Sequence, residues 1–258
     1  MDLRTLLLPD GLRMLLIEVC VDSVASALAA QDGGAGRIEL CDALVEGGLT
    51  PSAGKIALCC ERLTIPVVVL IRPRGGDFLY GDTDTELMVR DIAVAKELGA
   101  KGVAVGALRP DGTVDEARMK ILIAAARPME VVFHRAFDGT PDPLAALETL
   151  VKLGVDRVLT SGQARTAAEG TLVLEALVTA AKGRIAILAG GGIDETSAPR
   201  LVTAARVQEL HIRGTTAVVS EMTYKRPGFD LTKPPMPDNL RAVTDAKRVR
   251  AVVEAVGS

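Results

Sequence analysis

The amino-acid sequence predicts an α/β fold, a TIM (β/α)8 barrel formed by a single domain. Short apolar, β-branched runs alternate with helix-patterned segments along the chain. The length of 258 residues suits eight such β/α units. A doubly wound open sheet is the rival fold, but the segment CVDSVAS after the first strand lacks the glycines of a dinucleotide fingerprint. We therefore expect the barrel.

The predicted strands are near-continuous apolar runs, which is typical of a parallel sheet buried on both faces. In chain order they are LLIEVCV, RIELC, PVVVLIRP, GVAVGA, EVVFHRAF, RVLTSG, RIAILAGGG and ELHIRGT. Helical patterns lie between them at residues 52–63, 85–98, 115–126, 143–153 and 194–205. A glycine precedes several strands, as in ELGAKG, KLGVDR and AAKGR, and glycine commonly ends helices.

The N-terminal segment LLLPDGLRMLLIEV carries two apolar runs split by a Pro-Asp-Gly turn. Because Met14 would start the first strand cleanly, we interpret residues 1–13 as an extension and residues 14–258 as the barrel. These runs are too short and interrupted for a secretory signal. No apolar run reaches the roughly 20 residues that span a bilayer. The sequence therefore predicts a cytoplasmic protein.

Composition excludes several classes of function. The net charge of −3 and the 2% of aromatic residues give no basic patch and few stacking platforms, so nucleic acid and membrane are not expected partners. No lysine ends a predicted strand, which removes the obvious Schiff-base nucleophile. The two histidines lack the HxH or HExxH spacing of zinc hydrolases, and no GxSxG motif occurs. No organic cofactor is predicted.

Candidate site residues lie where the strands end, because TIM barrels work at the C-terminal face of the sheet. Glu18 and Cys20 share one face of the first strand, and Glu39 and Cys41 share one face of the second, since strands have a period of 2. Charged residues are seldom buried unless they are paired. Two acids on neighbouring strands therefore suggest a shared polar site.

The glutamates have two interpretations, which the sequence leaves open. Glu18 and Glu39 could be general acids or bases whose pKa values are tuned by burial. They could equally be structural acids paired with Arg72 or His134. His134, in the segment FHRAFD, is itself either a proton shuttle or a histidine satisfied by a neighbouring acid.

The cysteines also have two interpretations. None of the four has CxxC spacing, so we expect free thiols. Adjacent strands lie about 4.8 Å apart, so Cys20 and Cys41 could meet, and two thiolates suit Cu(I). Alternatively they are small core residues, as buried cysteines often are. Cys59 and Cys60, on a predicted helix, are expected to be packing residues.

Two loop regions favour an anionic ligand at the mouth of the barrel. The segment IRPRGGDF places Arg72, Arg74 and Asp77 after the third strand, where arginines either bind an anion or form a salt bridge that holds the loop. The segments TSGQ, AGGGID and HIRGTT follow the last three strands, where many barrels bind phosphate. The candidates there are Ser161, Gly190, Gly191, Gly192, His211 and Arg213.

The segments EVCVDSVASALAAQDGGAGRIELC, EGGLTPS, IPVVVLIRPRGGDFLY, FHRAFD, ALETLVKLGVDRVLTSGQ, GRIAILAGGGI and MTYKRPG resemble the copper homeostasis protein CutC family. The resemblance implies a cytoplasmic TIM barrel that forms a homodimer or a higher homo-oligomer. It also implies a role in copper tolerance or trafficking, with Cys20 and Cys41 as Cu(I) ligands. Where some members carry another cysteine or serine after the strand-eight histidine, this chain has Ile212 and then Arg213.

Two functions are therefore expected. The first is copper homeostasis, with a copper ion bound at Cys20 and Cys41. The alternative is a TIM-barrel enzyme with lyase- or isomerase-type acid/base chemistry on a small anionic or phosphorylated substrate. Its catalytic residues would be Glu18, Glu39, Arg72 and His134.

Overall fold

A computed structural model describes residues 15–224 and 239–257. Eight parallel strands form a closed barrel in which β1 pairs with both β2 and β8. The strands are β1 Leu16–Val21, β2 Arg37–Leu40, β3 Val67–Leu70, β4 Gly102–Val105, β5 Glu130–Phe133, β6 Arg157–Thr160, β7 Ala186–Gly190 and β8 Glu209–Ile212. The predicted fold class is confirmed. The expected extension at residues 1–13 and the start at Met14 lie outside the described residues.

Helices separate the strands and cover the outside of the barrel. They are α1 Val24–Asp32, α2 Ala53–Arg62, α3 Asp82–Glu97, α4 Glu116–Ala126, α5 Pro143–Leu153, α6 Thr171–Ala181, α7 Ala198–Arg200 and α8 Ala246–Gly257. Their ends follow the sequence: the side chain of Asp142 caps α5, and Gly154 ends it in the left-handed conformation at φ 76°. None of the described helices is long and apolar enough to cross a membrane.

Three elements differ from the sequence prediction. The helix expected at 194–205 begins only at Ala198, because Asp194 forms a turn with the N–H groups of Thr196 and Ser197. Strand β5 ends at Phe133, so HRAFD lies in a loop with a short 3₁₀ turn. A two-stranded antiparallel sheet that the pattern did not indicate also occurs; its strands are β9 Thr215–Val219 and β10 Leu240–Thr244.

The inner face of the barrel changes character around its circumference. Strands β3 to β7 fill the interior with an apolar layer that packs together: Val68, Leu70, Ala104, Val132, Leu159 and Leu188. Strands β1, β2 and β8 instead point two acids, an arginine, a cysteine and a histidine inward: Glu18, Cys20, Arg37, Glu39 and His211. In the upper part of the interior the polar groups therefore lie on one side, where they can pair with one another.

Ion pairs close the floor of the barrel, at the N-terminal ends of the strands. Arg37, which is fully buried, pairs with Glu18 and places Nη2 2.9 Å from Glu209 Oε2. Arg157 places Nε 2.9 Å from the same Glu209 oxygen and also pairs with Glu130. Burial opposes ionisation of Glu209, but Arg157 and Arg37 hold the pKa of that carboxyl below its usual range. These pairs connect β1, β2, β5, β6 and β8 across the barrel.

Replacing Arg37 should destabilise the protein strongly. Arg37→Gln leaves two buried carboxylates without their shared partner, so we expect the free energy of unfolding to fall by about 3–5 kcal/mol. Urea denaturation measures this. The control is Arg184→Gln, which breaks a half-exposed ion pair with Glu148 and should cost far less. Equal losses in the two variants would contradict a structural role for the floor pairs.

Candidate functional site

The two inner cysteines meet at the mouth of the barrel. Cys20 lies near the end of β1 and is opposite Glu39 in the strand register, and Cys41 follows β2 directly. Both side chains are buried, and their sulfur atoms lie 3.7 Å apart. The Cys41 thiol also donates a hydrogen bond to Glu39 Oε2 at 3.4 Å. The two thiols therefore meet, as the spacing of adjacent strands predicted.

His211 completes this cluster from the neighbouring strand. The register of β1 and β8 sets His211 beside Glu18, and its Nδ1 lies 2.7 Å from Glu18 Oε1. Its Nε2 lies 3.8 Å from Glu39 Oε2. Ligand atoms of Cys20, Glu39 and His211 all lie within 4.8 Å of one another, and no other such group occurs in residues 15–224 and 239–257. The sequence placed His211 among the anion ligands; the structure places it among potential metal ligands.

The two thiols have opposite protonation tendencies. The hydrogen bond with Cys41 lowers the pKa of Cys20 to about 5, helped by His211 and opposed by burial. The same bond and burial raise the pKa of Cys41 well above its usual value. Burial opposes the charge on His211, but its bonds to Cys20 and Glu18 raise its pKa well above the usual range. Near neutral pH, a Cys20 thiolate therefore faces a His211 imidazolium.

The two glutamates also differ. Burial would raise the pKa of Glu18, but Arg37 and His211 outweigh it and lower that pKa to about 2. Burial dominates at Glu39 and raises its pKa to about 8. Glu18 is therefore a carboxylate and Glu39 a neutral carboxyl at pH 7. The expectation that Arg72 or His134 pairs with Glu18 is wrong, because β2 and β8 supply its partners.

Arg72 holds two loops together. Its Nη1 donates to the carbonyls of Glu46 and Gly48 at 2.7 and 2.8 Å, and its Nη2 donates to the carbonyl of Gly76 at 2.8 Å. Its buried Nε has no partner among the described residues. The salt bridge to a strand-end acid considered for Arg72 is wrong, because backbone carbonyls of the loops after β2 and β3 take its place.

His134 is buried and neutral. Its Nδ1 accepts a hydrogen bond from the N–H of Ala136, and its ring centroid lies 4.9 Å from that of Phe78. Burial, and then the charge of Arg72, lowers its pKa to about 3, which weighs against a proton shuttle near neutral pH. In the described part of the chain, no hydrogen bond or ion pair joins His134 to Glu18 or Glu39.

Other predicted residues are engaged within their own loops. Arg74 and Asp77 form an exposed salt bridge at 3.0 Å, which is the loop-holding alternative for Arg74. The hydroxyl of Ser161 accepts from Arg135 Nη2 at 2.7 Å, and its N–H donates to Asp138. Gly190 ends β7 inside the barrel, where an added Cβ would lie 2.6 Å from a side-chain carbon of Leu159. Packing therefore accounts for this glycine.

A cavity of about 450 Å³ opens at the mouth beside the thiol cluster. Its lining includes five predicted residues: Cys20, Gly191, Gly192, His211 and Arg213. It also includes Arg135 and Arg248, which were not chosen as site residues. Arg37 was missed as well, although it lies two positions before Glu39 and so shares its face. No local pattern singles out Arg248, which comes from α8 at the far end of the chain.

Comparison with known proteins decides the family, because residues 15–216 match the model of the CutC family. This chain belongs to the CutC family. It is 49% identical over 210 residues to the copper homeostasis protein cutC homolog of Mus musculus, covering 81% of this chain and 77% of that protein. It is 44% identical over 248 residues to the family protein CutC of Mesorhizobium japonicum, and the match covers 94% of this chain and 95% of that protein.

A solved structure of the family has the same barrel. The crystal structure of CutC from Streptococcus agalactiae superposes with a TM-score of 0.74 at 33% identity, covering 77% of this chain and 98% of that one. The resemblance expected from the sequence motifs is confirmed by these comparisons.

The protonation of Glu39 predicts a pH dependence. The folded protein keeps this proton up to about pH 8, whereas the unfolded chain loses it near 4.5, so Glu39 makes stability fall as pH rises through that window. Glu39→Gln removes this contribution. The free energy of unfolding of the variant, minus that of the wild type, should rise by up to about 1.4 kcal/mol per pH unit.

Urea denaturation at pH 5, 6, 7 and 8 measures this difference. Glu61→Gln, at an exposed position of α2, controls for the loss of one acid. A pH-independent difference for Glu39→Gln would show that the carboxyl ionises in the folded protein as it does in the unfolded chain.

Proposed function

We propose that this protein serves copper homeostasis by binding Cu(I) at Cys20 and Cys41, with His211 as the third ligand. The observation that carries the proposal is the buried pair of sulfur atoms, 3.7 Å apart, beside an imidazole. Soft thiolates select Cu(I) over harder ions. The name of the mouse relative, copper homeostasis protein cutC homolog, agrees with this chemistry.

The sulfur separation favours a bent site with more than two ligands. We take the metal–sulfur distance from Zn²⁺, which is a d¹⁰ ion like Cu(I) and forms thiolate bonds of about 2.3 Å. At that bond length, two sulfur atoms 3.7 Å apart would subtend an angle of about 107° at the ion. A linear arrangement would need sulfurs about 4.6 Å apart. A bent pair would leave room for a third ligand, and a ring nitrogen of His211 lies within 4.8 Å of the Cys20 sulfur.

The surrounding charges prepare the ligands. Cys20 is already a thiolate near neutral pH, so one of the two sulfurs needs no deprotonation. Glu18 bonds to Nδ1 of His211, which leaves Nε2 as the ligand atom once copper displaces the proton that the raised pKa of His211 keeps there. Such carboxylate–histidine pairs fix the ring and strengthen it as a ligand. Glu18 therefore acts as a positioning residue in this proposal.

An enzyme is the second candidate. The observation that favours it is the sequence of groups Cys20, His211 and Glu18: a thiol, an imidazole and a carboxylate in the order that activates a nucleophile. Acid/base chemistry would then belong to Cys20 and His211 rather than to Arg72 and His134, which do not contact the cluster. The cytoplasmic location and the homo-oligomeric state implied by the resemblance remain predictions.

An anaerobic competition titration against a chromophoric Cu(I) chelator tests the copper site. We expect one equivalent per chain in the wild type. Cys20→Ser and Cys41→Ser should each weaken binding at least about 100-fold, because a hard hydroxyl replaces a soft thiolate. His211→Gln should weaken it less, since two thiolates remain. Cys60→Ser, at a thiol of α2 outside the barrel, is the matched control and should bind like the wild type.

Two outcomes would contradict the copper proposal. One is wild-type binding that the chelator outcompetes and that is unchanged in Cys20→Ser. The other is an equal loss in Cys60→Ser, which would indicate unspecific thiol binding. Loss in His211→Gln as large as in Cys20→Ser would instead make the imidazole an equal ligand.

A further inference from the structure

The cavity beside the thiol cluster is rich in arginine. Arg135 follows β5, Arg213 follows β8 and Arg248 lies on α8, and all three line the same space of about 450 Å³. All three are exposed to solvent. The three segments are far apart in the chain, so the closed barrel brings their positive charges together.

Two of these arginines are free to bind a ligand. Within residues 15–224 and 239–257, Arg213 and Arg248 form no ion pair and no side-chain hydrogen bond. Arg135 is partly engaged, since its Nε lies 2.8 Å from Asp138. Asp194 and Glu195 also line the cavity.

These two acids do not neutralise the cavity. Oδ1 of Asp194 accepts from the hydroxyls and N–H groups of Thr196 and Ser197, and these bonds lower the pKa of Asp194 to about 2, so it keeps its negative charge. The lining therefore holds three guanidinium groups, those of Arg135, Arg213 and Arg248, against two acids, and the balance favours an anion.

The backbone of two glycines, Gly191 and Gly192, lines the same cavity. Gly191 and Gly192 have φ values of +115° and +67°, and their N–H groups donate to no acceptor in the described part of the chain. A Cβ on Gly191 would lie 3.1 Å from Cβ of Ser161 and 3.8 Å from Nη1 of Arg135. A side chain at position 191 would therefore be crowded, and glycine leaves the backbone accessible from the cavity. Backbone N–H groups beside guanidinium groups are typical ligands of phosphate oxygens.

We propose that this cavity binds a small phosphate monoester. The phosphate would lie between the N–H groups of Gly191 and Gly192 and the guanidinium groups of Arg213 and Arg248. The organic part would extend toward Cys20 and His211, which line the same cavity. A volume of about 450 Å³ exceeds what phosphate needs and falls in the range of small-molecule pockets. The proposal goes beyond copper binding and does not depend on it.

Calorimetric titration at constant ionic strength tests the proposal, with ribose 5-phosphate, inorganic phosphate and ribose as probes. We expect saturable binding of one ribose 5-phosphate per chain, weaker binding of phosphate and none of ribose. Arg213→Gln and Arg248→Gln should each raise the Kd about tenfold, because each removes one charge-assisted contact. Both positions are exposed, so the variants should fold, which thermal unfolding verifies.

Lys247→Gln is the matched control. It removes the same charge from the neighbouring exposed position of α8, which does not line the cavity, and its Kd should equal that of the wild type. An equal loss in Lys247→Gln, or no saturable binding of either phosphate compound to the wild type, would overturn the proposal. The Cys20→Ser/Cys41→Ser double variant should keep phosphate binding. This variant therefore separates the two proposals, because it should lose copper binding without losing phosphate binding.

Discussion

A row of buried ionic contacts runs from the floor of the barrel to its mouth, and the site depends on it. Glu209 pairs with Arg37, Arg37 with Glu18, and Glu18 with His211, so the imidazole beside the thiols is linked to the barrel floor. Buried charges are tolerated only when they are paired. Glu18 joins the two halves of this row, because one of its carboxylate oxygens bonds to Arg37 at the floor and the other bonds to His211 at the mouth. Fold stability and site geometry therefore share one side chain.

Neighbouring residues of the same type behave differently because burial and charge compete. Glu18 and Glu39 are both buried, but only Glu18 has an arginine beside it, and the pKa values separate to about 2 and about 8. Cys20 and Cys41 separate in the same way, because two thiols in contact do not lose both protons easily. The site thus holds one thiolate and one carboxylate rather than four anions, which limits the repulsion inside an apolar barrel.

The sequence predicts the barrel well because its signals are local: apolar runs, helix stops and strand parity each depend on a few neighbouring residues. Parity and strand spacing also bring Cys20 close to Cys41. The partners of Glu18 could not be predicted in this way, since His211 reaches it only when β8 closes against β1. Arg72 resists prediction for another reason: its partners are backbone carbonyls, whose positions depend on how glycine-containing loops fold.

The two proposed sites meet at Cys20 and His211, and Arg213 influences both. Its positive charge contributes to the lowered pKa of Cys20, and its guanidinium lines the arginine-rich cavity. A phosphate at Arg213 would offset that charge, favour the protonated thiol and so oppose a soft metal ion at the sulfurs. Binding free energies are reciprocal, so a metal held by thiolates would weaken phosphate binding by the same factor. A shared wall would therefore couple the two ligands negatively, so that each would bind more weakly while the other is present.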